Sequence, residues 1–184
     1  MRKLIFAINL TLDGCCDHTK GTGDDELHDY YAALLRDSDT FVYGRKTYEL
    51  MVPFWPDIAK DNSGSTKGMN EFAKAFDAVK RIVVFSRTLG KVEQKKASIV
   101  RSNLKDEMLK LKQQEGKNIL TGGVDIPSQL IQLGLVDEYY FVIQPLVVGE
   151  GRRLLDTYKL QEKLQLVESR VFKSGCVALR YTKA

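Results

Sequence analysis

Lys117 to Gly151, KNILTGGVDIPSQLIQLGLVDEYYFVIQPLVVGEG, reads as strand, glycine pair, helix, strand. Asn118–Leu120 is a short apolar run closed by Gly122-Gly123. From Ile126 to Leu135 apolar residues recur on roughly one helical face, and Val136 to Val148 is rich in β-branched and aromatic residues. A strand that ends in glycines at a helix start leaves backbone N–H groups facing outward. With the positive end of the helix dipole, they make a site for an anion such as a phosphate. A tight turn that binds nothing can have the same sequence, so the rest of the chain has to decide.

The pattern repeats upstream. Lys3 to Leu12 is a strand ended by Asp13-Gly14. Asp24 or Asp25 caps a helix in which Leu27, Tyr30, Tyr31, Leu34 and Leu35 recur on one face. Thr40 to Tyr43 is a second strand ended by Gly44, and Arg45 to Met51 continues as a short helix. Pro53-Phe54-Trp55-Pro56 predicts a rigid turn, followed by a polar loop to Gly68. Phe72, Ala73 and Phe76 mark a short helix, and Arg81 to Phe85 a strand buried on both faces. Ser98 to Val100 is a further strand, and Leu104 to Leu111 a helix. Downstream, Leu164 to Phe172 and Cys176 to Thr182 flank Lys173-Ser174-Gly175 as a hairpin. Strands alternating with helices predict an α/β fold with mostly parallel pairing and right-handed crossovers, and an antiparallel C-terminal hairpin at one edge. No linker or repeat divides the chain, so residues 1–184 read as one domain.

Composition narrows the partners. A hydrophobic fraction of 43% and a charged fraction of 28% are ordinary for a soluble globular chain. A net charge of +4 suits a phosphorylated small molecule. No window interleaves basic and aromatic residues as a nucleic-acid surface would, and no apolar run approaches the ~18–20 residues that span a bilayer. Cys15, Cys16 and Cys176 do not suit a disulfide framework and point to free thiols in a reducing cytoplasm. His18 and His28 match no zinc spacing, so no metal is expected.

Three strand ends now look alike. Gly44-Arg45-Lys46-Thr47 offers a glycine, two cations and a hydroxyl at a helix start. Ser86-Arg87-Thr88 offers two hydroxyls and a guanidinium. Thr121-Gly122-Gly123 offers bare backbone. Ligands of open parallel sheets bind beyond the carboxyl ends of the strands, where all three turns fall. An arginine fork with hydroxyls suits a phosphate monoester, and helix-start amides suit a diphosphate. NADPH carries both groups. Neither G-x-G-x-x-G nor G-x-x-x-x-G-K-[ST] occurs, which disfavours a Rossmann domain and a P-loop nucleotidase.

Taken together, N-L-T-L-D-G from Asn9, Y-G-R-K-T-Y-E from Tyr43, V-F-S-R-T-L from Val84, T-G-G from Thr121, G-L-V-D-E-Y from Gly134 and P-L-V-V-G-E-G from Pro145 resemble the dihydrofolate reductase-like superfamily. The branch most similar is the reductase domain of bacterial riboflavin biosynthesis, over Lys3 to Tyr181. The resemblance implies a mixed, mostly parallel eight-stranded sheet flanked by helices, and NADPH as hydride donor. It implies that Gly44, Arg45, Lys46 and Thr47 hold cofactor phosphates, and that Ser86 and Arg87 meet the adenosine-side phosphate. Gly122, Gly123 and Val124 would cover the diphosphate, and Ala7 and Ile8 would flank the nicotinamide. The expected activity is that of a 5-amino-6-(5-phosphoribosylamino)uracil reductase. A dihydrofolate or pterin reductase is the alternative, and a non-catalytic nucleotide-binding module a third reading.

The chain departs from that branch at Thr121, where the riboflavin reductases carry a substrate-contacting glutamate, and no H-x-E with P-C-x-x-C deaminase signature accompanies it. Candidate catalytic acids are Asp13, at the end of the first strand, and Glu26, on the first helix beside Asp25 and Asp29. Asn9, Trp55 and Thr121 are the candidate substrate contacts, for a small heterocycle. The exposed edge of the C-terminal strands suits a homodimer.

Overall fold

A computed structural model describes residues 1–21, 23–154 and 161–184. In chain order the elements are β1 (Leu4–Thr11), α1 (Asp25–Arg36), β2 (Ser38–Gly44), α2 (Arg45–Met51), α3 (Trp55–Asp61), α4 (Lys67–Asp77), β3 (Arg81–Phe85), β4 (Ala97–Val100), α5 (Leu104–Gln113), β5 (Asn118–Thr121), α6 (Asp125–Gln132), β6 (Glu138–Gln144), β7 (Leu164–Val171) and β8 (Val177–Lys183). The eight strands form one sheet in the order β4-β3-β2-β5-β1-β6-β8-β7. β4 through β6 in that order are all parallel, and β8 runs antiparallel to both its neighbours. This is the mostly parallel sheet with a terminal hairpin that the alternation of elements predicts. No described helix is long and apolar enough to cross a membrane.

Strand alternation divides the core between two faces. On β1, Ile5 and Ala7 point to the face covered by α1 and α4, where Phe41, Phe76, Ile82 and Leu120 pack. Leu4, Phe6 and Ile8 point to the opposite face, with Val83, Met108, Ile119 and Leu130 beneath α5 and α6. The caps behave as their chemistry dictates. The Asp24 carboxylate accepts the Leu27 amide at the start of α1.

Three element boundaries differ from expectation, each for a local reason. Trp55–Asp61 is a helix rather than loop. Pro56 falls in its first turn, where a missing N–H costs nothing, and buried Ile58 anchors it. The helix stops at Asn62, in the left-handed region with φ 48°. α6 ends at Gln132, short of Leu135. Gly134, at φ 65°, lets its N–H reach Ile131 O while the Leu135 N–H reaches Leu130 O, a paired C-terminal cap. β6 spans only Glu138–Gln144, because Pro145 has no N–H for the ladder.

Leu130 ties α6 to the sheet and is fully buried. Leu130→Ala is expected to cost about 2–5 kcal/mol of unfolding free energy, read from the shift in urea midpoint at constant m-value.

Candidate active site

The topology makes β3, β2 and β5 neighbours, so the turns that follow them lie side by side on one rim. At Gly123 the chain takes φ 83°, open to glycine at little cost, and a Cβ there would lie 2.1 Å from Thr47 Oγ1. The turns after β2 and β5 are therefore in contact. A Cβ on Gly122 would stand 3.5 Å from the Ala7 carbonyl oxygen and 3.9 Å from the Tyr43 ring, ordinary contacts that place this turn directly beside the end of β1. Gly44 packs against Ile126 of α6, where a Cβ would lie 3.1 Å from the Ile126 side chain, closer than an ordinary contact. The glycine pair is thus wedged between β1 and the first turn of α2. α6 begins at Val124 without a side-chain cap, leaving its first amides to an outside acceptor.

The cations of these turns are largely uncommitted. Arg87 is exposed and Lys46 is exposed, and neither has an ion-pair or hydrogen-bond partner among the described residues. Arg45 makes only a loose surface pair, its Nε 3.7 Å from Glu49. The Ser86 hydroxyl accepts the amides of Thr88 and Leu89 at 3.2 and 2.9 Å, shaping the turn that presents Arg87. Its own O–H remains to donate. Ala7, Ile8, Gly44, Thr47, Gly122, Gly123 and Val124 all stand on or beside this rim.

The two candidate acids are engaged elsewhere. The Asp13 carboxylate accepts from Thr11 Oγ1 at 2.6 Å and from the amides of Gly149 and Val148 at 2.8 and 3.3 Å. Arg153 donates to the Asp13 carbonyl and lies 3.8 Å from its carboxylate. The Thr11 hydroxyl and those amides hold the carboxyl down at about 2. Asp13 has no proton to give near neutrality; it fastens the loop after β6 to the end of β1. Glu26 accepts the Lys173 amide at 2.6 Å, which ties α1 to the β7–β8 turn. Asp25 likewise accepts the Gly68 amide.

Thr121 is not a substrate contact either. It is fully buried, on the α6 side of the sheet, and its hydroxyl donates to Val42 O at 2.8 Å. Alternation explains this: Leu120 and Gly122 face α1, so the residue between them cannot. Trp55 packs tightly, its ring centroid 4.4 Å from that of Phe72 and 6.1 Å from that of His28, and is half-buried against the core under α1 and α4. Asn9 does stand in the open. It shares the face of Ala7 and accepts a hydrogen bond from the Tyr31 hydroxyl at 2.7 Å. Tyr31 went unnoticed because its spacing on α1 is that of a core residue; only its polar tip distinguishes it.

A shallow depression of about 730 Å³ lies at the opposite, amino-terminal ends of the strands, around Arg2, Lys3 and Lys117. Its cations are spent: Arg2 on Asp39 and Thr40, Lys3 on Glu138, and Lys117 on the Arg36 carbonyl. The carboxyl-end rim leaves more of its positive charge free, with Arg87 and Lys46 unpaired among the described residues.

The family model of the RibD C-terminal domain matches residues 2–178. The uncharacterized protein YyaP of Bacillus subtilis (strain 168) is 34% identical over 184 residues, covering 98% of this chain and 94% of its own. Among solved structures, a putative riboflavin biosynthesis protein from Shewanella sp. PV-4 superposes with TM-score 0.74 at 20% identity, over 99% of both chains. A diaminohydroxyphosphoribosylaminopyrimidine deaminase/5-amino-6-(5-phosphoribosylamino)uracil reductase from Thermotoga maritima gives 0.68 at 15% identity, over 100% of this chain and 57% of that one. At these identities the two structures establish the fold.

Two outcomes follow from the geometry. Gly123→Ala is expected to lose at least about 1–2 kcal/mol from the left-handed backbone alone. Thr47→Ala in the same chain should recover the part due to the clash, a coupling read from a double-mutant cycle in urea. His28 has a buried Nδ1 without a hydrogen-bond partner among the described residues, and burial pushes its pKa below the ordinary 6.5 against the pull of Asp25 and Asp24. The unfolded chain therefore takes up this proton first as pH falls. The contribution to stability is complete above 6.5 and drains away below it. Between about pH 7 and pH 5, His28→Gln should show a shallower loss of stability than the wild type in paired urea melts.

Proposed function

The chain belongs to the RibD C-terminal domain family, and on that footing we propose that it is an NADPH-dependent reductase acting on a small heterocycle. The observation that carries this reading is the row of three turns at the ends of β3, β2 and β5. There Arg87 and Lys46 lack partners among the described residues and the first amides of α6 lack a cap. That inventory matches a diphosphate and a phosphate monoester on one ligand. The arginine side, beyond β3, suits the adenosine-side phosphate. The glycine pair suits the diphosphate, and Ala7 and Ile8 the nicotinamide ring.

Bound NADPH would supply the hydride, to a carbon of a C=N or similar electrophile. The protein's share is placement: β1 and the Gly122 turn keep the ring and the substrate in contact distance and orientation. With Asp13 held ionised and Glu26 on the hairpin turn, the proton comes from water. The 5-amino-6-(5-phosphoribosylamino)uracil reduction named for the Thermotoga relative is the activity to assay first. Pterin reduction is less favoured, because Asp25 and Glu26 on α1 are both engaged by backbone amides away from Asn9.

The chain acts in this reading as a cytoplasmic homodimer paired along β7. That edge strand is exposed on both faces, and Leu166, Val167 and Val171 leave 50, 49 and 74% of their surface uncovered. Sedimentation velocity should give a dimer for the wild type and a monomer for Val167→Lys.

NADPH titration followed by nicotinamide fluorescence tests the cofactor assignment. Arg87→Ala should weaken NADPH by about tenfold or more, the worth of a charged hydrogen bond, and NADH by less than about twofold. Equal losses, or a wild type that ignores NADPH, would sink the reading.

A further inference from the structure

The carboxyl-end rim is electrically divided. The uncommitted cations, Arg87 and Lys46, follow β3 and β2. Among the described residues of the loops after β1 and β6, Lys20 is tied to Glu150, Arg152 to Asp125, and Arg153 to Asp13. The carboxylates of α1's first turn are spent as well, on the amides of Gly68 and Lys173.

At the end of β1 itself the open polar groups are neutral. Asn9 lies two residues beyond Ala7 on the same face of β1, so it stands next to the ring position assigned above. The Tyr31 hydroxyl donates to Asn9 Oδ1, which orients the amide. The Asn9 Nδ2 hydrogens are left to donate, and the lone pairs of the Tyr31 oxygen to accept. Burial raises the Tyr31 pKa, so the phenol stays uncharged. A donor beside an acceptor complements an amide-like –CO–NH– edge of a planar ring. The surroundings suit such a ring. Trp55 reaches this pair through His28, one helical turn before Tyr31. Leu12, Phe54 and Val147 leave 64, 51 and 73% of their surface exposed on the same rim, an apolar collar with no ionic contact to offer.

We propose that the substrate half of the cleft takes a planar heterocycle with no net charge and no phosphate, read along its amide-like edge by Asn9 and Tyr31. This rests on the reductase reading and departs from a ribosyl-phosphate substrate. Tyr31 is the added specificity residue.

The test is calorimetry on the NADP⁺-saturated protein. The probes are 5-amino-6-(ribosylamino)uracil, its 5′-phosphate, and unconjugated dihydropterin as a second neutral ring. At least one neutral probe should bind, and the unphosphorylated uracil should bind about tenfold tighter than its phosphate, with affinity changing less than about twofold between about 50 and 500 mM salt. Tyr31→Phe and Asn9→Leu should each weaken the neutral probe about tenfold or more while NADP⁺ affinity holds within about twofold. Lys173, on the β7–β8 turn, has no carboxylate partner among the described residues and serves as the control. Several results would overturn the proposal. One is the phosphate binding as tightly as, or tighter than, its neutral partner, with a loss in Lys173→Ala or at high salt. Another is both variants binding the neutral ring like wild type. A third is all three probes failing while NADP⁺ binds. Failure of NADP⁺ itself is a separate result that removes the reductase reading and this inference with it.

Discussion

The close approach of Gly123 to Thr47 is the contact on which the rest of the rim depends. Two turns from distant parts of the chain meet there, and the meeting requires both a left-handed backbone and a missing side chain at residue 123. Because β2 and β5 are parallel neighbours, the contact also fixes how the start of α6 stands against the start of α2. Gly122 lies beside the Ala7 carbonyl at ordinary contact distance, so the same turn also abuts β1. Without Gly123 the turns after β2 and β5 could not stand this close.

On the other side of β1 the rim is held by ions rather than by close packing. Asp13 gathers the amides of Val148 and Gly149, and Arg153 returns to the Asp13 carbonyl. Arg152 spans to Asp125 in the first turn of α6, offsetting a carboxylate that would otherwise oppose an anion at that helix start. The described arginines of this loop are thus paired. The consequence is a rim with free positive charge on the β2–β3 side and paired charge beside β1. It also explains why two acids that looked catalytic are occupied: the fold uses them as fasteners.

Much of this could be read from residue order. The eight strands, the Asp24 cap, the terminal hairpin and the placing of Gly44, Ser86 and Gly122 at strand ends all follow from periodicity and turn chemistry, which are local properties. The misread elements were local conflicts. Pro56 looked like a breaker and proved to sit where a helix tolerates it, and Gly134 ended α6 a turn early through a pattern of two hydrogen bonds. The site residues divided differently. Thr121 seemed aligned with a substrate contact, yet strand alternation sends it into the core. Tyr31 was hidden by having the spacing of a core residue.

The sequence by itself determined most of the elements, the Trp55–Asp61 helix and the reach of β6 apart, and which residue types stand at the strand ends. Those depend on steric preference and hydrophobic spacing within a few residues. Only the tertiary structure decided which ends are neighbours and which charges remain free, because a carboxylate such as Asp13 or Glu26 finds its partners 135 and 147 residues away. A side chain's chemistry is written in the sequence. Whether that chemistry is available to a ligand depends on what folding has brought beside it.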